Sequence, residues 1–523
     1  MNINKSDFDV SIVGCGPAGK MLAIELAQRG WKVGIFEQWP SPYSLPRAVV
    51  LDNEIKRALY AICDKKSLRK IMQSVPANDT YEWRNASGQT LLSLDDWAEA
   101  SFFSQPELEK LLLHICASYP NIQVSMGHEA VQLTEHSAYV ELTVKSEDSP
   151  EKTITSQYLV GCDGANSFVR SHMDIEVTDL GFSYDWLIVD VIPHEEREWK
   201  PMNWQLCDPE RPTTIVSGGP GRRRWEFMRR PEETIDYLNN ADTAWRLLEP
   251  WGITPENATL ERHAVYNFRA RWAESWREGR LLLAGDSAHL MPPFYGQGMN
   301  SGLRDAKNLG WKLDLVLGGI AEEKLLDTYT MERKPHATNI IDSSIYLGEL
   351  ICIDNPVATA ARDEAFLTGN APPFLEFPIL TDGILHRELE GYLSTLAGKL
   401  SPHAQVSYQG KQGFLDDVIG RGWKIISTKD DPRTILSEEQ MTILNDLETQ
   451  FVHITLDQLS TKAAIDIDGE YTKYFKENGI ETLIIRPDFY IFGGITFYQE
   501  LPSVIDELSK QIQITISSTS VTA

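Results

Sequence analysis

The chain has 523 residues, 42% of them apolar and 24% charged, and its 49 basic and 75 acidic residues give a net charge of −26. That length supports two or three domains with real cores. The charge argues against general binding to nucleic acid or to anionic membranes. The six cysteines (15, 63, 116, 162, 207 and 352) include no C-x-x-C pair. They read as reduced thiols rather than a disulfide frame or a zinc site. MNINKSDFDVSIVG has no apolar signal core, and no stretch reaches the ~18 apolar residues of a membrane span, so a cytoplasmic protein is expected.

In chain order, FDVSIV (8–13) predicts a buried strand. It runs into Gly14-Cys15-Gly16-Pro17-Ala18-Gly19, then a helical pattern ended by Gly30, then a second strand, WKVGIFE, ending at Glu37, with Gln38 directly after it. This is a βαβ unit carrying G-x-G-x-x-G. Its glycines permit a tight turn, close approach of a pyrophosphate, and close helix–strand packing. The helix start presents N–H donors and a positive dipole end. An acid at the end of the second strand fits a free ribose hydroxyl pair, which favours FAD or NAD over NADP at this site.

Further on, YLVGCDGANSFVR (158–170) predicts a strand followed by Asp163-Gly164 and a helix start. Residues 181–265 alternate strands and turns (WLIVDV, TTIVSGG, RRWEFM), which predicts a mixed or antiparallel sheet. Arg222-Arg223-Arg224 reads as a solvated turn more readily than as a site for a substrate carboxylate. RLLLAGD (280–286) predicts a strand ending in Gly285-Asp286, then a Pro/Gly-rich loop, GDSAHLMPPFYGQGMNSG, that opens a helix. Long helices follow to about residue 350, with a Gly-Gly break and Pro335 as a kink or boundary. APPFLEFPILTDG reads as a linker. The remainder alternates strands and helices and contains no cysteine, which rules out thiol redox chemistry there.

Taken together, Gly14–Gly19, Cys162-Asp163-Gly164 and Gly285-Asp286 resemble the three landmarks of the group A flavoprotein aromatic hydroxylases. Pro46-Arg47-Ala48 and the Gln105-Pro106 helix start are similar to further stretches of that family. PRAVVLDNE (46–54), RRRWEFM (222–228) and GQGMNSGLRDAKNLGWKL (296–313) resemble its 3-(3-hydroxyphenyl)propionate hydroxylase branch. Arg486-Pro487-Asp488-Phe489-Tyr490 is similar to a turn in the thioredoxin-like tail of the phenol hydroxylases.

The resemblance implies an α/β protein. A Rossmann-like FAD-binding domain (1–180 and 266–370, with a helical extension) is interleaved with a mixed-sheet substrate domain (181–265, with about 76–100). A linker (371–400) leads to a C-terminal thioredoxin-like α/β domain (401–523), assigned to packing or oligomerisation, with a homodimer as the candidate assembly. The cofactor set would be Gly14, Gly16, Pro17, Ala18, Gly19, Glu37, Gln38, Arg47, Gln105, Asp163, Gly285, Asp286, Pro293, Gly296, Gly298, Met299 and Asn300. Asp286 would hold a ribityl hydroxyl of FAD. The Pro292 and Pro293 carbonyls would be free acceptors beside the flavin. The helix start at Gly296–Asn300 would stabilise charge on the reduced ring.

The implied reaction is hydroxylation of a phenol such as 3-(3-hydroxyphenyl)propionate, using NAD(P)H and O₂ through a C4a-hydroperoxyflavin. No second G-x-G-x-x-G is present, so the nicotinamide would share the flavin cavity. Phenol hydroxylases carry an aspartate where this chain has Val49. Tyr266 and Arg271 therefore join Pro293 as catalytic candidates, ahead of Asp52, His289 and Tyr295. Trp186, Met228, Phe294 and Tyr295 are candidate pocket residues. A monooxygenase of polyketide or antibiotic rings and a non-catalytic flavin protein remain as alternatives. The missing W-x-W-x-I-P stretch argues against a halogenase.

Overall fold

The computed structural model describes residues 6–42, 45, 47–76, 79–94, 100–147, 149–388, 390–457 and 462–512. Pro46 and parts of the expected 76–100 substrate segment (77–78 and 95–99) lie outside the described residues, as does the tail end, 513–523. The chain divides into two compact units. The first is Met1–Ile24, Val33–Leu303 and Ala337–Phe377; the second is Glu25–Lys32, Arg304–His336 and Pro378–Ala523.

The first unit contains two large sheets. In one, strands Arg277–Glu278, Leu281–Leu283, Ser149–Gly161, Phe8–Val13, Val33–Glu37 and Ile122–Met126 lie side by side. Phe8–Val13 pairs in parallel with both Ser149–Gly161 and Val33–Glu37. Val10, Ile12, Val33 and Ile35 are fully buried, because a parallel sheet covered on both faces needs apolar side chains on both.

The second sheet runs His289–Leu290, Ala258–Ala273, Val177–Pro193, Arg223–Met228, Thr213–Ser217, Asn203–Cys207, Tyr81–Asn85 and Thr90–Leu94. It is mixed: Asn203–Cys207 pairs in parallel with Tyr81–Asn85, and its other pairings are antiparallel. Period-two alternation separates its faces. Leu187, Val189, Trp225 and Phe227 pack on one face. Trp186, Ile188, Met228, Tyr266 and Phe268 pack on the other.

The second unit holds a seven-stranded sheet, with Gln450–Thr455, Lys424–Ser427, Thr482–Ile485 and Ile491–Ile495 adjacent in that order. The first two of these are parallel and the later pairings antiparallel. Helices Glu438–Asp446, Glu470–Asn478 and Leu501–Ile512 intervene or follow, giving the βαβαββα order of a thioredoxin-like core. Helix Asp327–Ile351 runs through Pro335 without ending there.

Candidate active site

The three glycines of the first motif do different jobs. Gly14 has φ +102°, and a Cβ placed on it would lie 2.3 Å from the Cys162 carbonyl oxygen. A Cβ on Gly19 would lie 2.4 Å from the Gly14 carbonyl oxygen, so this glycine sets how closely helix Pro17–Ala27 approaches the turn. A Cβ on Gly16 would meet nothing within 4 Å. Gly16, Pro17 and Ala18 are half-buried and border open space at a helix N-terminus, where a pyrophosphate fits. Beside them, Glu37 accepts from Cys15 N at 2.8 Å and Trp39 N at 3.0 Å. Its carboxylate keeps lone pairs for ribose hydroxyls. Gln38 is exposed next to it.

Two distant stretches close around this turn. Ser287 Oγ donates to the Gly161 carbonyl at 2.5 Å, and Arg170 Nη1 donates to the Ser287 carbonyl at 2.6 Å. Gly285 has φ +68°, and a Cβ on it would sit 3.4 Å from the Ala18 Cβ. Asp286, the next residue, presents an exposed carboxylate. Asp163 faces inward instead. It accepts from Ser167 Oγ at 2.5 Å and Val169 N at 3.0 Å, while burial pushes its carboxyl above the usual range.

Segment 47–51 makes the next wall. Gln105 Oε1 accepts from Arg47 N at 3.1 Å and Ala48 N at 2.7 Å, and its Nε2 donates to Glu109 at 3.1 Å. Glu109 in turn pairs with Lys20, buried on the glycine-motif helix. The Arg47 carbonyl accepts from Arg224 Nη1 at 2.6 Å, and the Arg47 side chain is exposed. Gln105 thus acts by fixing the Arg47 backbone. Gln105→Leu removes all three of these hydrogen bonds and is expected to raise the FAD dissociation constant about tenfold. Flavin titration of the apoprotein would measure it; unchanged affinity would show that the segment needs no anchor.

The Pro/Gly loop packs against the same segment. A Cβ on Gly296 would lie 2.6 Å from Val50 Cγ1, and Asn300 Nδ2 donates to the Gly296 and Val50 carbonyls at 3.0 and 3.3 Å. Asn300 Oδ1 is buried with no hydrogen-bond partner among the described residues, which leaves an acceptor for a bound group. Helix Gly298–Leu317 starts here, so the N–H groups of Gly298, Met299 and Asn300 open its first turn. The two proline carbonyls are not free, contrary to expectation. Pro292 accepts from Ser344 Oγ at 2.6 Å and Pro293 from Gly296 N at 2.8 Å, because the loop tightens into a 3₁₀ turn, Pro293–Tyr295. These residues fit FAD: an open glycine turn, an acid at a strand end, an exposed Asp286 and an unsatisfied Asn300 oxygen.

The catalytic candidates separate. Pro293 is exposed on the loop. Tyr266 lies directly across from Trp186 on the neighbouring strand and on the same sheet face, with the Arg262 guanidinium 4.7 Å from its ring centre. Arg271 donates to the Ala165 carbonyl, which Arg170 also binds, and burial together with Arg271 lowers the Arg170 pKa. Asp52 caps helix Asn53–Ile62 through Ile55 N at 2.9 Å. His289 is buried with its ring 5.0 Å from that of Trp276. Val49 packs against an apolar cluster with Val50, Phe102 and Val216.

Phe294 meets Trp186 at 5.5 Å and Phe268 at 5.7 Å between ring centres, and Met228 joins the same cluster. Tyr295 turns toward Phe377, 6.2 Å away.

The arginine run is neither a solvated turn nor one site. Strand alternation splits it. Arg222 pairs with Glu261 at 3.1 Å. Arg223 is buried against the Trp199 and Trp204 rings, 4.5 and 5.2 Å away. Arg224 points to the other face and binds Asp190 through two bonds of 2.7 and 3.0 Å. Lys20, Glu109, Asp190 and Glu226 were not singled out from sequence. The available signal was charge at inward positions of apolar helices and strands.

A model of the FAD binding domain family matches residues 7–344, and one of the HcaD C-terminal domain matches 398–511. The probable NADH-specific resorcinol 4-hydroxylase of Rhodococcus jostii (strain RHA1) is 32% identical over 516 residues, covering 96% of this chain and 94% of that protein. A 3-(3-hydroxy-phenyl)propionate/3-hydroxycinnamic acid hydroxylase of Mycolicibacterium gilvum (strain PYR-GCK) is 31% identical over 537 residues, covering 98% and 93%. The crystal structure of the flavin-dependent monooxygenase PieE, with FAD and substrate, superposes with a TM-score of 0.80 at 19% identity, covering 97% of this chain and all of that one.

Fold and site together define a flavoprotein monooxygenase with FAD as cofactor and NAD(P)H as co-substrate. The chain belongs to the FAD-dependent aromatic hydroxylase family. No helix among the described residues is long and apolar enough to cross a membrane, and no cluster among them has the make-up of a metal site.

Proposed function

We propose that this enzyme hydroxylates a phenol bearing a meta substituent, of the resorcinol or 3-(3-hydroxyphenyl)propionate type, acting in the cytoplasm. The observation that carries this reading is the sheet face with Trp186, Met228, Tyr266 and Phe268, which meets the Pro292–Tyr295 loop through Phe294. An apolar face with a few polar groups is what a small aromatic ring requires. The two relatives described above act, by name, on meta-substituted phenols.

On this reading Gly14–Gly19, Glu37 and Gln38 hold the adenosine and pyrophosphate end of FAD. Arg47, Asp286, Gly285, Met299 and Asn300 hold the remainder, with Gln105 and Asp163 as supports. Bound FAD supplies the redox chemistry, taking a hydride from NAD(P)H and passing one atom of O₂ to the ring. The chain's own residues orient the phenol and exclude water. The test is NADH and NADPH oxidation by the FAD-loaded protein with resorcinol and with 3-(3-hydroxyphenyl)propionate, followed by mass analysis of the ring. Substrate-dependent oxidation with one added oxygen is expected. Oxidation that no phenol accelerates would overturn the reading.

A further inference from the structure

The sheet face that carries Trp186, Met228 and Tyr266 also carries a carboxylate, Glu226, that is only loosely held. Asp190, Arg224 and Arg262 occupy one cross-strand row. Asp190 is bound by Arg224 at 2.7 Å and lies 3.7 Å from Arg262. Glu226 stands two residues along its strand, on the same face, in the row of Ile188 and Ala264. Its contact with Arg224 is 3.6 Å, beyond hydrogen-bonding distance. Thr214, its neighbour on the next strand, gives its hydroxyl to Gln205 instead, at 2.5 Å.

Location shows what the carboxylate faces. At one end of this face Arg224 is tied to the Arg47 carbonyl. At the other end Trp186 and Phe268 touch Phe294 of the Pro/Gly loop. Glu226 lies between those two anchor points. Its side chain keeps 13% exposure while Asp190 keeps 2%, so space remains in front of Glu226 and none in front of Asp190. Burial pushes its carboxyl above the ordinary range in spite of Arg224. Among the described residues the carboxylate has the Arg224 ion pair and no shorter hydrogen bond, which leaves acceptor positions for a ligand that can donate.

We propose that Glu226 is the hydrogen-bond acceptor for the hydroxyl group of the substrate ring, a catalytic residue that orients and polarises the phenol. The proposal rests on the phenol-hydroxylase reading above. The charge-assisted bond draws the phenolic proton toward Glu226 and leaves electron density on the ring oxygen and the ring. The row also bears on selectivity: two acids, Asp190 and Glu226, face two cations, Arg224 and Arg262. That balance leaves no surplus positive charge on this patch for a carboxylate-bearing substituent, which must point elsewhere.

The test compares the FAD-loaded full chain with Glu226→Gln and Glu226→Asp, using FAD content and melting temperature as folding controls. The probe is 4-nitrophenol, whose neutral and anionic forms differ in colour. A neighbouring carboxylate favours the neutral, donating form, so the wild-type protein is expected to bind the neutral phenol. Glu226→Gln removes the negative charge, keeps only a neutral amide acceptor and adds an N–H donor, and is expected to bind the phenolate. Hydroxylation of resorcinol is expected to fall about a hundredfold in Glu226→Gln and to recover partly in Glu226→Asp. Identical spectra of bound probe in the wild type and both variants would overturn the proposal even if the enzyme hydroxylates phenols. A changed spectrum with no turnover in the wild type would support the acceptor role and count against the phenol-hydroxylase reading instead.

Discussion

Gly14→Ala is expected to yield a chain that retains no FAD, while Gly16→Ala folds normally and binds FAD weakly. The two residues are two positions apart in the same motif, yet a methyl group meets opposite surroundings. At Gly14 it would lie 2.3 Å from a backbone oxygen, that of Cys162, and the residue would be held at φ +102°. Neither Cys162, directly after strand Ser149–Gly161, nor the turn can retreat without disturbing the parallel pairing of Val13 with Gly161. A left-handed non-glycine residue plus a backbone clash costs more than about 3 kcal/mol. At Gly16 an added Cβ would meet nothing within 4 Å beyond its chain neighbours, so the apoprotein loses little. The added methyl instead occupies the space where the pyrophosphate would approach the backbone. Melting temperature of the apoprotein and flavin retained after gel filtration separate the cases. Gly16→Ala with wild-type FAD affinity would mean that the cofactor does not pass over this turn.

Much of this site was legible in the sequence because its logic is local. Gly-x-Gly-x-x-Gly, Asp163-Gly164 and Gly285-Asp286 each follow a short apolar run, and a strand that ends in glycine has few other uses. The same locality explains what was misread. The freedom of the Pro292 and Pro293 carbonyls depends on Ser344, some fifty residues later. The bond of the Gln105 amide to the Arg47 backbone likewise depends on chain brought in from elsewhere. Arg222-Arg223-Arg224 looked like a turn because three charges in a row suggest solvent. Only cross-strand neighbours reveal an indole cage for one and a buried aspartate for another. Strand order and the opposite faces of the mixed sheet also come from pairings that no short window contains.

In the second unit the largest effect is expected from Arg486→Met, a loss of about 3–5 kcal/mol of stability. Arg486 is fully buried and donates to Glu332 at 2.6 Å and Asp488 at 2.7 Å, in the turn that the sequence had marked only as a family resemblance. Lys312 adds a second contact to Glu332 at 2.8 Å. Burial alone would push the Glu332 carboxyl up, but Arg486 and Lys312 hold it down at about 2. Burial has the opposite outcome for Lys312, whose ammonium is lowered to about 8 with Arg486 adding repulsion.

The signs follow. Glu332 contributes stability that is complete above its ordinary value of 4.5 and is lost as pH falls toward 2. Lys312 imposes a cost that is complete below about 8 and is relieved as pH rises toward 10.5. Near neutrality these two contributions oppose each other. Removal of part of the network is a different matter. Without Arg486, two buried carboxylates share one ammonium that burial already disfavours. Denaturant unfolding at neutral pH would measure the loss. The double variant Glu332→Leu/Arg486→Met, which removes an acid with its cation, is expected to be more stable than Arg486→Met alone. A double variant that is no more stable than Arg486→Met would show that the single loss comes from packing, not from stranded charge.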